Sequence, residues 1–494
     1  MQLPFGEWLP DQPDHLNPGA TVATNVYHAQ SSYKPVKGLV AYGGTSNVTQ
    51  NAKGAGSFRD NTNTVFTFVG TKDNIYKLTS GTFSSVKGSC TVSGGDTDYF
   101  TFTQFGQYVV ASNGVNPPMY YEMGTSTNFA TLQSLVTSIG QGTVPSKFKV
   151  SGVIRDFLVT ANIENAKNRV AWSGLNDIST WEAGVSSSDT QDLPGSGGQV
   201  VAITSGEFGY VFREDQIIRL DFVGGNVVFR FSVISPNRGA VYGQTVCQDN
   251  RQVFFYASDG FFQINGDQIL PIGAEKVNRF FDGDLNKAYT DRITAAVDPF
   301  NTLAIWLYPS KDNPNTTGVC DKLLIYNYVT QKWSVAKVKA SQIFKQFVVA
   351  NTVELMDIIS ENLEDINISL DTAFWTTGHL YLGAIDENFK AAIFSGKTLE
   401  AELETKEQEI FPGLRANVTG IRPIVDASAN VTIKTRDKLA DTVTTSASSS
   451  MNDTGINPVR QSGRYFRANV KIPAESIWTN AQGIDLTASQ GGSR

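Results

Sequence analysis

Residue types able to bind metal or move protons are few in this chain. Histidine occurs three times, at His15, His28 and His379, and none has a ligand-type partner at the i+2 or i+4 spacing of a metal motif. Cys90, Cys247 and Cys320 lie far apart and form no CxxC, so they read as buried thiols, not as a disulfide framework or a zinc site. The string SGKT at 395–398 ends like a phosphate-binding loop. That loop needs glycine five residues before Gly396, and Ala391 stands there. SGK is therefore expected to be a hairpin turn. The glycine run LPGSGGQV near Gly195 lacks the lysine and is expected to be a flexible loop. No G-x-S-x-G nucleophile elbow occurs.

Carboxylates are the remaining route to catalysis. Glycoside hydrolysis needs two at a set separation, and the run LEAELETKEQEI at 399–410 supplies Glu404 and Glu407. Propeller sialidases carry Asp boxes of the form S-x-D-x-G-x-T-W. Here STWE at Ser179 has only the ending, and SDG at Ser258 only part of the core. The expectation is no catalytic, cofactor-binding or metal residue, no cofactor and no enzymatic activity, with a propeller glycosidase as a lesser alternative. The acidic run reads as a solvated strand face, or as an acidic surface facing a DNA channel.

The 494 residues carry a net charge of −7, with 40% hydrophobic and 18% charged residues. Such a chain can bury a large core and is not disordered by composition. Glycine reaches 44 and phenylalanine 30, which suits strands and turns better than helices. Charge is uneven: residues 351–414 hold 13 Asp/Glu against 3 Lys, a local −10. Arg460, Arg464, Arg467 and Lys471 cluster near the C-terminus and are assigned to subunit or partner contacts, since an Arg fork matches carboxylates. The first residues lack the basic and apolar regions of a signal peptide, and no run of about 18 apolar residues occurs. Production in a cytoplasm, or in something assembled there, and no membrane span are expected.

A repeat organises the middle of the chain. Asp or Asn, a spacer, two apolar residues, a spacer and another apolar residue recur at Asp73 (DNIYKL), Asp215 (DQIIRL), Asp259 (DGFFQI) and Asp321 (DKLLIY), with looser copies at Asn116 and Asn168. Each follows an apolar run such as VFTFVG from Val65 or LAIWLYP from Leu303. Asp and Asn suit the turn because their side chains cap local N–H groups. Continuous apolar runs mean strands buried on both faces. Four-stranded meanders at such a period bury both faces by stacking radially, so the fold class expected is all-β, a β-propeller of six or seven blades, with an additional small β-domain formed by the chain ends. Ile75, Ile217, Phe261 and Leu323 should occupy equivalent buried positions.

Three regions follow: 1–60, an N-terminal segment packing through Val22–Tyr27 with the C-terminal β-domain; 61–412, the propeller; and 413–494, that β-domain. An irregular, partly helical insert is expected at 340–374, with its helix from Val353. The seventh blade is expected from His379 onward, with turns at 386–388 and at Gly396. The Ser/Thr/Asn stretch 444–457 is expected to be a loop.

The opening LPFGEWLPDQPDHLNPGATVATNVYHAQSSYKPV, the middle RDFLVTANIENAKNRVAWSGLNDISTWE from Arg155, PIGAEKVNRFF and DRITAAVDP, and the ending GIRPIVD … GRYFRANVKIPAESIWTNAQGIDL resemble, in that order, short-tailed phage tail proteins of the nozzle or packaged-DNA-stabilisation family. The similarity covers nearly the whole chain. It implies a structural subunit of the virion tail, made in the host cytoplasm and forming a homo-oligomeric ring, typically a hexamer. Such a ring sits below the adaptor and portal proteins, with needle, fibre or spike proteins nearby, and viral double-stranded DNA passes through it without tight binding. The resemblance brings no catalytic residues. The alternative is a carbohydrate- or receptor-binding phage propeller.

Overall fold

The computed structural model describes residues 1–15, 17–41, 47–79, 81–225, 227–313, 319–347 and 380–492. The helix expected from Val353 and the histidine at 379 lie outside the described residues. The first blade is the antiparallel meander Ala55–Arg59, Val65–Gly70, Ile75–Thr79 and Thr82–Ser85. Blades 2 to 5 repeat it within 101–131, 148–192, 200–235 and 247–271. Blade 6 is Thr294–Asp298, Leu303–Tyr308, Cys320–Asn327 and the first half of Lys332–Phe347.

The second half of Lys332–Phe347 opens a seventh blade. It pairs with Leu380–Asp386, which pairs with Ala391–Thr398, and the outermost strand is Lys37–Ala41 from the N-terminal region. The circle of blades is thus closed by a strand remote in sequence. The expected boundary at 61 falls inside blade 1, and 340–347 is strand. Gly396 is not a hairpin turn: it lies within Ala391–Thr398, where the register against Lys37–Ala41 shifts between Phe394 and Thr398. A Cβ there would stand 2.8 Å from the Val40 side chain, so the crossing strand requires glycine.

Alternation along the strands explains why the apolar runs are continuous. Val109 and Ala111 pack toward blade 1, while Val110 between them packs toward blade 3. Ala304, Trp306 and Tyr308 face blade 5, while Leu303, Ile305 and Leu307 face blade 7. Each blade interface has its own core, and Phe344 and Ile385 meet Val69 and Tyr76 where blade 7 joins blade 1. Each fully buried Val, Leu, Ile or Phe among them contributes about 1.5–3 kcal/mol by burial. Ile75, Ile217, Phe261 and Leu323 all lie at or near the start of a third strand, are buried, and face the following blade. The motif aspartates act locally but not identically. Asp321 accepts from the Ser310 amide and hydroxyl (2.7 and 2.6 Å), whereas Asp259 pairs with Arg238 (2.6 Å).

The chain ends build a β-sandwich. One sheet orders Ser32–Pro35, Ala481–Gln490, Ala416–Val425 and Asn457–Gly463, with Gln2–Pro4 also on Ala481–Gln490. The other orders Val22–Thr24, Ala401–Glu404, Tyr465–Ile472 and Asn430–Arg436. Val418, Ile421, Val431, Ile433, Val470 and Ile484 are in its core, joined by Leu3, Phe5 and Tyr33. Residues 444–457 are not simply a loop: Thr444–Thr445 and Ser449–Ser450 pair with Asn430–Arg436, and the Asn457 carboxamide donates to the Ser449 carbonyl (2.7 Å). Thr24 pairs in parallel with Val335, so the second sheet runs on into blade 6.

Candidate functional site

The axis of a propeller is where its inner strands converge, and here one mouth is filled. The connection from blade 1 to blade 2 carries Tyr99, whose ring lies under the Lys149 ammonium of blade 3 (4.4 Å) and whose hydroxyl donates to the Val201 carbonyl of blade 4 (3.1 Å). A side chain on Gly243, before blade 5, would collide with that hydroxyl. Burial pushes the Tyr99 phenol well above its ordinary value. Beside it, the Lys53 ammonium donates to the Asp96 carbonyl, and the Gly95 amide donates to Asp98 (2.7 Å). Burial and then Arg292 lower the Lys53 pKa; Asp291, Asp96 and Asp98 act in the opposite sense. The space left among these groups, Thr294 and Gln342 is about 20 Å³, room for roughly one water. The mouth is filled by hydrogen-bonded polar groups and a cation–π contact and offers no room for an organic substrate.

The carboxylates of 399–410 meet a different environment from either one expected. Glu404 and Glu407 are 1% and 7% exposed, inside the sandwich sheet and its continuation, and face neither solvent nor a channel. Glu404 accepts from Thr21 (2.8 Å) and Asn469 (3.2 Å) and pairs with Lys434. Glu407 pairs with Arg436. Arg467 lies 2.8 Å from Asp14, 3.6 Å from Glu404 and 3.8 Å from Glu407. Each carboxylate is held by cations, so the cluster supplies electrostatic fastening between the N-terminal segment and the sandwich. The expected basic group does not gather into one patch: Arg467 turns inward, and the exposed Lys471 stands 3.9 Å from Glu402.

The glycine-rich run near Gly195 is likewise held. Arg213 is 2% exposed, and its guanidinium donates to the carbonyls of Gly198 (2.9 Å), Pro194 (2.8 Å) and Gly195 (3.2 Å) and to Gln216 (2.8 Å). Burial lowers its pKa. Gly195 and Gly198 take φ of +81° and +79°, which lets their carbonyls turn toward the clamp. Nothing local in the sequence links Arg213 to 194–198, so this clamp is invisible before folding.

A cavity of about 280 Å³ lies where the N-terminal segment crosses blade 6. Its floor is Val22, Thr24, Val335, Lys322 and Lys337, and Trp8, Pro10, Gln12, Asp14 and Phe280 wall it. The segment is fixed there by Asp11, which accepts from the amides of Arg279 (2.9 Å) and Phe280 (2.7 Å), by the Glu7–Lys276 pair (2.6 Å), and by Trp8 packed edge-on to Phe280 (5.0 Å). Among the described residues, no group of three or more His, Cys, Asp or Glu is placed to hold a metal ion, and no helix is long and apolar enough to cross a membrane. Cys90, Cys247 and Cys320 are all buried free thiols, and burial raises their pKa values.

No protein-family model and no curated protein matches the chain. Among solved structures it is similar to the extracellular domain of the one-component system BT4673 from B. thetaiotaomicron (11% identity, TM-score 0.40), covering 73% of this chain and 40% of that one. It is also similar to a chain of the mitotic checkpoint complex (9% identity, TM-score 0.37; 75% and 96% covered) and to the Neurospora crassa Pan2 WD40 domain (8% identity, TM-score 0.36; 74% and 96% covered). The chain thus spans less than half of the first of these proteins, and likenesses this distant carry no functional argument. On its own strand order, the chain is a β-propeller carrying a β-sandwich made by its two ends.

Proposed function

We propose that this protein is a structural subunit of a short-tailed phage tail, a nozzle or hub component that forms a ring, retains packaged DNA and provides its exit path. The observation that carries the reading is the ordered resemblance of the opening, middle and closing strings, from Leu3 to Leu486, to that family. The architecture supports it. A propeller and a sandwich stitched together by the N-terminal segment make a rigid two-lobed part, and its most buried charges serve cohesion. The filled axial mouth gives duplex DNA no way through the propeller itself, so in this reading the DNA path lies between subunits. A net charge of −7 suits a wall along which DNA slides, because a surface neutralising many phosphates would grip it.

The test is to image particles of a short-tailed phage assembled with a tagged copy of this chain. Label as a ring at the distal tail is expected. Label confined to fibres, or hydrolysis of host polysaccharide by the purified protein, would replace this reading with a receptor-binding or glycosidase one.

A further inference from the structure

One face of the second sandwich sheet brings an amine, a carboxamide and a carboxylate onto a single oxygen. It is the face opposite Val431, Ile433 and Val470, because side chains alternate along each strand. Glu404 stands directly across from Asn469, and Lys434 is a diagonal neighbour of Asn469 on the far strand. To reach Glu404, the Lys434 side chain must cross Tyr465–Ile472, so it passes alongside Asn469. The Lys434 Nζ donates to Glu404 Oε2. The Asn469 Nδ2 donates to that same Oε2 (3.2 Å) and to Glu402 Oε1 (2.8 Å). Glu404 and Asn469 are 1% and 2% exposed, and the N-terminal segment closes over this face through Thr21 and Asp14. The Asn469 Oδ1 is buried and accepts no hydrogen bond among the described residues. A buried carboxamide kept only for its hydrogen bonds ordinarily satisfies both ends.

We propose that these three side chains make an intramolecular isopeptide bond, from Lys434 Nζ to Asn469 Cγ, with Glu404 as the base. Glu404 takes one proton from the ammonium, which frees the lone pair on Nζ. The amine attacks Cγ, and the carbonyl oxygen carries the negative charge of the tetrahedral intermediate. As that charge returns to the carbonyl, the Cγ–Nδ2 bond breaks, and a second proton passes from Nζ to the departing nitrogen. Ammonia leaves and takes up the proton held by Glu404, which is again a carboxylate. One amide replaces another, so nothing is oxidised or reduced and no co-reactant is required. Holding the amine and the carboxamide on one oxygen supplies the proximity such a step needs. The neighbouring carboxylate marks the contrast: Glu407 meets only Arg436 and Arg467, whose guanidiniums are not deprotonated and cannot act as nucleophiles. The bond would join two adjacent strands and close the stretch 434–469 into a covalent loop. It forms once per chain, as a maturation step without turnover, and it does not depend on the tail-subunit reading.

The test is the intact mass of the purified full-length chain, followed for days at neutral pH. A species lighter than the sequence by one ammonia is expected. Peptide mapping should find a branched peptide joining the segments around Lys434 and Asn469, with trypsin no longer cutting after Lys434. Lys434→Arg and Glu404→Gln should each keep the full mass of their own sequence, with circular dichroism showing that they fold. A parent chain that keeps its full mass would overturn the proposal. So would an ammonia loss that maps elsewhere, as to a succinimide at Asn265 before Gly266, or undiminished bond formation in Glu404→Gln. Should Glu404→Gln fail to fold, the mass and map of the parent chain decide alone.

Discussion

Arg467 bridges Asp14, 2.8 Å away in the N-terminal segment, and Glu404, 3.6 Å away in the strand that pairs with Val22–Thr24. One guanidinium thus holds the two chain ends where the sandwich meets the propeller. Removing the guanidinium takes one of two cations from each buried carboxylate, which keep Lys434 and Arg436, so the loss is about 1.5–3 kcal/mol, that of a hydrogen bond to a charged group. Arg467→Met should therefore lower the stability of the sandwich by that order in denaturant unfolding. Asp14→Asn should cost under about 1 kcal/mol, because Asp14 is half exposed and screened. Equal small effects from both would show that the cluster fastens nothing.

His28 predicts a specific response to acid. Its ring is buried, and its Nε2 lies 3.0 Å from the Lys332 ammonium. Burial first, and the lysine second, lower its pKa from 6.5 to about 4. The unfolded chain takes up the proton first as pH falls, so this contribution is complete above pH 6.5 and is lost as pH drops toward 4. The linked stability is about 3 kcal/mol. His28→Gln should flatten the melting-temperature profile between pH 6.5 and 4.5 relative to the parent. Superimposable acid slopes would contradict the assignment.

Tyr99 tests the closure of the axial mouth. Tyr99→Phe removes one hydrogen bond to Val201 and should cost about 1 kcal/mol. Tyr99→Ala also removes a half-buried ring between three blades and should cost up to about 3 kcal/mol, the low end for a large aromatic. If Tyr99→Ala were no worse than Tyr99→Phe, the ring would not be packed at the axis as described.

Much of this fold was legible because its signal is local. The turn motifs at Asp73, Asp215 and Asp259 precede equivalent third strands, and Asp321 is the second residue of the matching strand in blade 6, since a blade must repeat both its turn and its doubly buried strand. What escaped the sequence was remote pairing. Nothing near Lys37–Ala41 says that it completes a blade begun some 300 residues later, and nothing near Gly396 shows that Val40 will press on it. The charge patterns of the candidate site misled for the same reason. Glu404 and Glu407 read as solvated because alternation cannot show that Lys434, Arg436 and Arg467 arrive from other strands. The cavity required three segments to meet, at Trp8, Phe280 and Lys337, and no linear pattern connects them.

The central claim, a ring-forming tail subunit, is tested most directly by the mass of the purified full-length protein in solution. Sedimentation at micromolar concentration should show a closed assembly, with a hexamer of the 53.7 kDa chain near about 320 kDa, whose size does not grow on further concentration because a cyclic interface is saturated. A single 53.7 kDa species across the micromolar range, or open-ended growth without a limiting size, would contradict it.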